Sequence, residues 1–233
     1  MSPFHRTTQQ LRTDEGEHIL FPMAPIIEKR AVEPFYKNGY VVACPSTLQA
    51  AYIDPGDEAI GFSQWIEAQN LTLSAILLTH GHMDHISGVG SVKERWNAPI
   101  YIHKEDAFLY ESLKEQGLWF GLSYSPAPPA DQYLQPDEPF QLGDLTFRVH
   151  HTPGHSPGGV TFELDQHLFC GDLIFAGSVG RSDLPGASQE VLIQSIRDKI
   201  LTFDDEKILL PGHGPESTVG HERRTNPFLN SDD

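Results

Sequence analysis

The chain has 233 residues, with 32 acidic and 16 basic side chains, a formal net charge of −16 and 39% hydrophobic residues. This length and hydrophobic fraction suit one domain with a substantial core. The acidic balance argues against a nucleic-acid partner, because phosphates are neutralised by lysine and arginine. No apolar run reaches 18 residues, so we expect no membrane span, and the first 20 residues are too polar for a signal peptide.

The chain contains two cysteines, Cys44 and Cys170, which lie far apart in the sequence. Two such cysteines do not make a disulfide framework, so we expect a reducing cytoplasmic location. Cys170 could approach a site formed by the neighbouring Asp172, but a small buried filler is the favoured interpretation.

The first half of the chain has a β-rich pattern. Residues 1–20 carry little apolar periodicity and predict a loose N-terminal arm, followed by one domain over residues 21–233. Strands are predicted near Gly39–Ala43 and Ala50–Asp54. A helix is predicted over Gly61–Gln69, because Phe62, Trp65 and Ile66 share one face.

An apolar strand at 75–79 is followed by the segment THGHMDHISG, and then by a predicted helix over Ile86–Trp96. The segment contains four metal-ligand residue types within six positions: His80, His82, Asp84 and His85. Imidazole and carboxylate are ligands that divalent zinc, iron or manganese prefer. The cluster follows the carboxyl end of a strand, where open α/β sheets place their sites. The alternative is a solvated histidine-rich loop.

The rest of the chain continues with alternating elements. Strands are predicted at Pro99–His103, 145–150, 159–164, 167–171 and 207–210, and helices over Lys104–Gln116 and Gln189–Leu201, the latter capped by Ser188. Between them lies a long loop, Gly117–Pro139, which holds the aromatic residues Trp119, Phe120, Tyr124 and Tyr133. Such a loop is either a surface linker or an aromatic lip over a binding pocket.

Three further ligand candidates each lie beside glycine at the end of a predicted strand. His155 is in HTPGHSPGG, Asp172 in FCGDLIF and His213 in LLPGHG. A lone histidine in a loop is usually just solvated. Three polar residues in the same kind of tight turn are better explained by convergence on one site.

These motifs resemble the metallo-β-lactamase-fold hydrolases, and most closely their glyoxalase II-like (hydroxyacylglutathione hydrolase-like) branch. The resemblance starts around Val32–Val42 and ends at Glu222–Leu229. Its most branch-specific segment is GDLIFAGSVGRSDLPG, Gly171–Gly186, in which Arg181 is a candidate substrate contact. The resemblance implies an α/β (α+β) fold built as a four-layer αβ/βα sandwich.

The resemblance also implies two divalent metal ions, with Zn²⁺ expected and iron or manganese as alternatives. The first ion would be held by His80, His82 and His155, the second by Asp84, His85 and His213, with Asp172 bridging both. Asp84 and Asp54 are the catalytic candidates. Asp54 matches the family's first motif as a carboxylate that orients a ligand or the water, although it could instead be a turn residue before Pro55.

The expected activity is hydrolysis of thioesters such as S-lactoylglutathione, with a metal-bridging hydroxide as nucleophile and the loop aromatics Trp119, Phe120 and Tyr124 gripping a small-molecule substrate. Glyoxalase II enzymes continue into a helical domain that binds glutathione, and only 20 residues follow His213 here, which puts glutathione selectivity in doubt.

The alternatives are a persulfide dioxygenase with one iron on His80, His155 and Asp172, and a lactonase or β-lactamase. A structural metal module without turnover is disfavoured because every ligand position is present. The sequence leaves the exact substrate, native metal and oligomeric state open.

Overall fold

A computed structural model of the chain describes residues 24–230. The predicted arm over residues 1–20 therefore lies outside the described residues. The rest forms two six-stranded sheets, a small hairpin and eight α-helices within the described range.

The first sheet has its strands in chain order. They are β1 (Ile26–Val32), β2 (Lys37–Ala43), β3 (Gln49–Ile53), β4 (Thr72–Leu77), β5 (Ile100–His103) and β6 (Gln132–Leu134). The first three strands pair antiparallel, whereas β3, β4, β5 and β6 pair parallel. Parallel neighbours need crossover connections, which the helices between these strands provide.

The second sheet has the order β14-β13-β10-β9-β8-β7. Its strands are β7 (Phe140–Leu142), β8 (Leu145–His151), β9 (Val160–Leu164), β10 (His167–Gly171), β13 (Ile208–Pro211) and β14 (Ser217–Thr218). Only β10 and β13 pair parallel in this sheet. A two-stranded hairpin of β11 (Ile174–Phe175) and β12 (Ser178–Val179) follows β10.

The helices of the described chain are α1 (Ala59–Ala68), α2 (Met83–Ile86), α3 (Val89–Trp96), α4 (Ala107–Glu111), α5 (Leu113–Trp119), α6 (Gln189–Ser195), α7 (Val219–Thr225) and α8 (Pro227–Asn230). A 3₁₀ turn, Lys104–Asp106, precedes α4, and a π-helical turn, Ile196–Ile200, extends α6. The predicted cap of α6 is confirmed, because the Ser188 hydroxyl accepts a hydrogen bond from the Val191 backbone NH. No helix between residues 24 and 230 is long and apolar enough to cross a membrane.

Strand alternation sorts the apolar residues into three buried layers. On β2, Tyr40 and Val42 face the layer between the two sheets, whereas Val41 and Ala43 face the layer under α1 and α3. A third layer lies between the second sheet and α6 and α7, and it contains Cys170. Three apolar layers separate four layers of secondary structure, which confirms the predicted αβ/βα sandwich.

Cys170 is a buried filler of that third layer, as expected, and burial raises the pKa of its thiol to about 12. Both cysteines are free.

Two predicted helices are interrupted in the structure. The predicted helix Ile86–Trp96 overlaps α2 only at Ile86 and otherwise corresponds to α3. The two helices are separated at Ser87 and Gly88, and an added Cβ on Gly88 would lie 2.8 Å from the Cβ of Ala59. The predicted helix Lys104–Gln116 is a 3₁₀ turn followed by α4 and α5, and the break falls at Ser112, whose hydroxyl donates to the Leu109 carbonyl. Such local hydrogen bonds compete with helix continuation.

Candidate metal centre

The seven predicted ligand residues converge at the carboxyl ends of strands from both sheets. His80 and His82 follow β4, while Asp84 and His85 lie on α2 immediately afterwards. The other three follow strands of the second sheet: His155 between β8 and β9, Asp172 after β10 and His213 after β13. The sandwich therefore brings together residues from four separate segments.

Three of the histidines form one cluster. The ligand atoms of His80, His82 and His155 lie within 4.8 Å of one another. Their side chains are buried, and His82 Nδ1 is only 2.8 Å from His155 Nε2. Three imidazoles at this spacing match a three-nitrogen metal site.

A second cluster lies beside the first. The ligand atoms of Asp84, His85 and His213 also lie within 4.8 Å of one another. Asp84 Oδ2 is 3.0 Å from His213 Nε2 and 3.6 Å from His85 Nε2. This set adds a carboxylate, which suits harder ions than three imidazoles do.

Asp172 lies between the two clusters. Its Oδ2 is 3.6 Å from His155 Nε2 in the first cluster and 3.5 Å from His213 Nε2 in the second. Its Oδ1 is 3.3 Å from His85 Nε2. One carboxylate is thus in reach of both sets, which is the geometry that a bridging ligand requires.

Outer contacts orient the rings. His85 Nδ1 is 2.9 Å from Asp54 Oδ2, His155 Nδ1 donates to the Arg181 carbonyl at 2.8 Å, and His80 Nδ1 is 3.0 Å from the Thr79 hydroxyl. Each contact turns the opposite ring nitrogen inward, as partners of metal-bound histidines do.

The inward atoms show whether a cation fits. Within residues 24–230, the buried atoms His80 Nε2, His85 Nε2 and Asp172 Oδ1 have no hydrogen-bond partner. Unpaired buried polar atoms are costly, and their presence in both clusters is explained by bound cations. The donor set therefore fits two divalent ions.

The charges around the two clusters differ. Burial lowers the pKa of His82 to about 3, so its imidazole is the neutral form that binds metals. Burial also acts to lower the pKa of His85, but the carboxylates of Asp172, Asp84 and Asp54 outweigh it and raise that pKa to about 10. The second cluster thus attracts positive charge strongly.

Asp54 lies directly after β3 with φ of 53°. It accepts hydrogen bonds from the Thr79 backbone NH at 2.7 Å and from the Thr79 hydroxyl at 2.6 Å, besides its contact with His85. A non-glycine residue in this backbone region is strained, and such strain concentrates at functional sites. Asp54 therefore fixes both the ring of His85 and the start of residues 78–82, the metal loop between β4 and α2.

A third group, His103, Glu105 and His151, also has ligand atoms within 4.8 Å of one another. The rings of His103 and His151 are stacked, with centroids 4.3 Å apart and planes 19° from parallel. Lone pairs lie in the ring plane, so two stacked rings do not aim at one ion. His103 acts instead as the cap of the 3₁₀ turn, accepting from the Glu105 backbone NH at 3.4 Å.

A cavity of about 210 Å³ opens over both clusters. Three of the four predicted substrate contacts, Trp119, Phe120 and Arg181, line it. Tyr124 does not line it and packs against the helix layer of the first sheet, where an added Cβ on Gly117 would lie 2.7 Å from its ring.

The remaining cavity wall is mostly apolar, and sequence reasoning missed it. It includes Met83, Leu109, Leu184, Pro185 and Phe35, whose ring meets Phe120 edge-to-face at 6.0 Å. Phe35 comes from the β1–β2 turn, which lies in the segment Val32–Val42 where the resemblance starts, but nothing in that segment marks Phe35 as a cavity residue. The guanidinium of Arg181 makes two hydrogen bonds to Asp183, at 2.7 and 2.8 Å.

Known proteins are similar to this chain in sequence and in fold. The model of the metallo-beta-lactamase superfamily matches residues 33–213. A hydroxyacylglutathione hydrolase GloC of Haemophilus influenzae is 43% identical over 186 residues, which cover 78% of this chain and 88% of that protein. The chain belongs to the metallo-beta-lactamase superfamily and is a metallo-hydrolase of that fold.

Two solved structures agree closely with it. The BLEG-1 B3 metallo-beta-lactamase superposes with a TM-score of 0.83 at 36% identity, covering 88% of this chain and all of that one. The protein TTHA1623, solved in a di-iron-bound form, superposes with a TM-score of 0.79 at 38% identity, covering 89% of this chain and all of that one.

Proposed function

We propose that this metallo-hydrolase uses two metal ions to hydrolyse thioesters. The observation that carries the proposal is the place of Asp172, whose two carboxylate oxygens reach ligand atoms of both clusters. A single ion on His80, His155 and Asp172 would leave the contacts of Asp172 with His85 and His213 without a role.

In this proposal His80, His82 and His155 hold one ion, and Asp84, His85 and His213 hold the other. Two bound cations would supply a water whose pKa is lowered toward ~7 and would polarise the carbonyl of the substrate. The chain's own residues set the rest of the chemistry.

Asp84 lines the cavity, and its side chain is partly exposed there. Its carboxylate is therefore placed to accept a hydrogen bond from the attacking water. Asp54 is buried behind His85 and serves as a positioning residue. Its oxygens contact Thr79 and His85, and it does not line the cavity. The thiolate released from a thioester is a good leaving group and needs no acid from the protein.

The cavity wall favours substrates with a compact apolar part. Trp119, Phe120 and Phe35 form one side of it, while Arg181 is already paired with Asp183. A paired guanidinium is a weak anchor for the carboxylates of glutathione. We infer that S-lactoylglutathione is cleaved with a weak KM and that simpler thioesters compete within about tenfold, a difference of ~1.4 kcal/mol.

Zinc is the expected ion, since three imidazoles suit it, while the carboxylate-rich second cluster also suits iron or manganese. The likeness to GloC supports the thioester reaction, and the likeness to TTHA1623 keeps iron in consideration. The cytoplasmic location and the choice of a small-molecule substrate stay predictions.

The test combines metal analysis with three assays. The purified protein is analysed for metal per chain and assayed with S-lactoylglutathione, with a simple acyl thioester and with a β-lactam, the last because of the likeness to BLEG-1. Two ions per chain with thioester turnover support the proposal. A single iron per chain, with oxygen uptake when a persulfide is added, would refute the proposal in favour of a persulfide dioxygenase. Faster turnover of the β-lactam than of either thioester would show that the substrate is a β-lactam instead.

A further inference from the structure

Asp106 is a fully buried carboxylate at the end of the 3₁₀ turn that precedes α4. It accepts three hydrogen bonds. Its Oδ2 accepts from the Gly81 backbone NH at 2.8 Å and from the Ser156 hydroxyl at 2.7 Å, while its Oδ1 accepts from the Gly158 backbone NH at 2.5 Å. Each of these donors lies outside the helical segment that carries Asp106.

The donors belong to the two loops that carry the three-histidine cluster. Gly81 stands between His80 and His82, and Ser156 directly follows His155. One side chain therefore connects two loops that come from different sheets and are far apart in sequence.

The backbones also meet too closely for side chains at the two glycines. A Cβ on Gly81 would lie 2.9 Å from the Tyr110 backbone nitrogen and 3.0 Å from the Asp106 carbonyl oxygen. A Cβ on Gly158 would lie 2.5 Å from the Asp106 backbone nitrogen. Both positions need glycine because the loops rest directly on the segment around Asp106.

Gln116 holds the same loop from the other side. Its amide donates to the Gly81 carbonyl at 3.0 Å and accepts from the Met83 backbone NH at 3.2 Å. The NH and the carbonyl of Gly81 are thus both held by buried side chains, which leaves the two peptide units between His80 and His82 little freedom.

We propose that Asp106 is a positioning residue that sets the mutual placement of His80, His82 and His155. It acts on the first cluster, whereas Asp54 acts on His85 in the second. The inference rests on the proposed binding of two metal ions, and it adds a residue that binds no ion itself. An asparagine at position 106 would keep the size, but its NH₂ group would replace either Oδ1, where it would face the Gly158 NH, or Oδ2, where it would face the Gly81 NH, so in either orientation a donor would face a donor.

The experiment compares Asp106→Asn with Glu222→Gln. Glu222 is also fully buried and accepts from the Gly177 backbone NH and from the Asn226 amide, both at 2.9 Å, and from the Ser217 hydroxyl. None of these partners adjoins a ligand candidate, so Glu222→Gln reports the cost of losing a buried carboxylate in general. Each full-length protein is titrated with Zn²⁺ against a chromophoric chelator, loaded with Co²⁺ for its visible spectrum, and unfolded thermally.

We expect Asp106→Asn to weaken one of the two binding steps at least tenfold and to change the Co²⁺ spectrum, while the other step changes less. Glu222→Gln should lose thermal stability but keep both binding steps and the spectrum. The inference is overturned if Asp106→Asn is merely less stable and binds both ions with wild-type affinity and spectrum.

Ser156→Ala decides the question if Asp106→Asn does not fold. It removes one of the three donors and should weaken the same binding step by a smaller factor, so unchanged binding would overturn the inference. A wild-type protein that binds no divalent ion would refute the proposed function. Two ions in the wild type with no effect of either substitution would refute only the role of Asp106.

Discussion

Trp119 offers a test of the cavity wall that does not touch the reacting atoms. Its side chain is 62% exposed and lines the cavity over the metal clusters. A tryptophan side chain presents about 250 Å², so a substrate that covers half of the exposed part would bury roughly 75 Å². At about 25 cal/mol per Å² this contributes ~1.9 kcal/mol of substrate binding, or about twentyfold.

Trp119→Ala should therefore raise KM for a thioester by about tenfold to twentyfold and leave kcat within about threefold, because the contact is made equally before and during the reaction. Leu118→Ala is the matched control. Leu118 is adjacent and 61% exposed but does not line the cavity. Steady-state kinetics with S-lactoylglutathione and with a simple thioester measure both values. An unchanged KM in Trp119→Ala, or an equal rise in Leu118→Ala, would refute the assignment of this wall to substrate binding.

Three further predictions concern the clusters and their support. Asp84→Ala should lose most of the ion in the second cluster and slow thioester turnover by orders of magnitude while the fold persists; an active variant with two ions would contradict this. Asp172→Asn should weaken both metal-binding steps together, since its oxygens reach both clusters, and a titration that retains one intact high-affinity step would argue against bridging. Lys37→Met breaks the buried ion pair with Glu58, 2.8 Å long, and should lower the free energy of unfolding by about 3–5 kcal/mol. Lys29→Met, in a partly exposed ion pair, should cost less than about 1 kcal/mol in the same urea titration.

The strands were predictable because alternation and apolar runs are local properties. The predicted strands at 159–164 and 167–171 match β9 and β10 to within a residue. Helix continuity was less predictable, because the breaks at Gly88 and Ser112 depend on packing and on a local hydroxyl contact. Short edge strands such as β6 were missed, since three residues carry too little periodicity.

The loop Gly117–Pro139 shows where sequence patterns stop being informative. Its aromatics were grouped as one lip, yet Trp119 and Phe120 line the cavity while Tyr124 packs against the helix layer. Aromatic residues are equally suited to a pocket wall and to a core, so composition alone does not separate the two. Which aromatic side chain reaches the cavity depends on the direction of the backbone after α5, and the local sequence does not determine that direction.

The ligand residues and the residues that hold them differ in how they can be found. Histidine and aspartate side chains carry ligand chemistry of their own, so the four residues of the THGHMDHISG segment and the three beside glycine at strand ends could be singled out as ligand candidates from the sequence. Asp106 could not, because its role exists only where the turn before α4 meets Gly81 and Ser156. Asp54 and Asp106 accept from the NH groups of Thr79 and Gly81, so the two carboxylates hold the backbone at the residues directly before and after His80. The glycine between His80 and His82 permits the backbone geometry of the metal loop but does not impose it. That geometry therefore depends on the carboxylates of Asp54 and Asp106, which are distant in sequence.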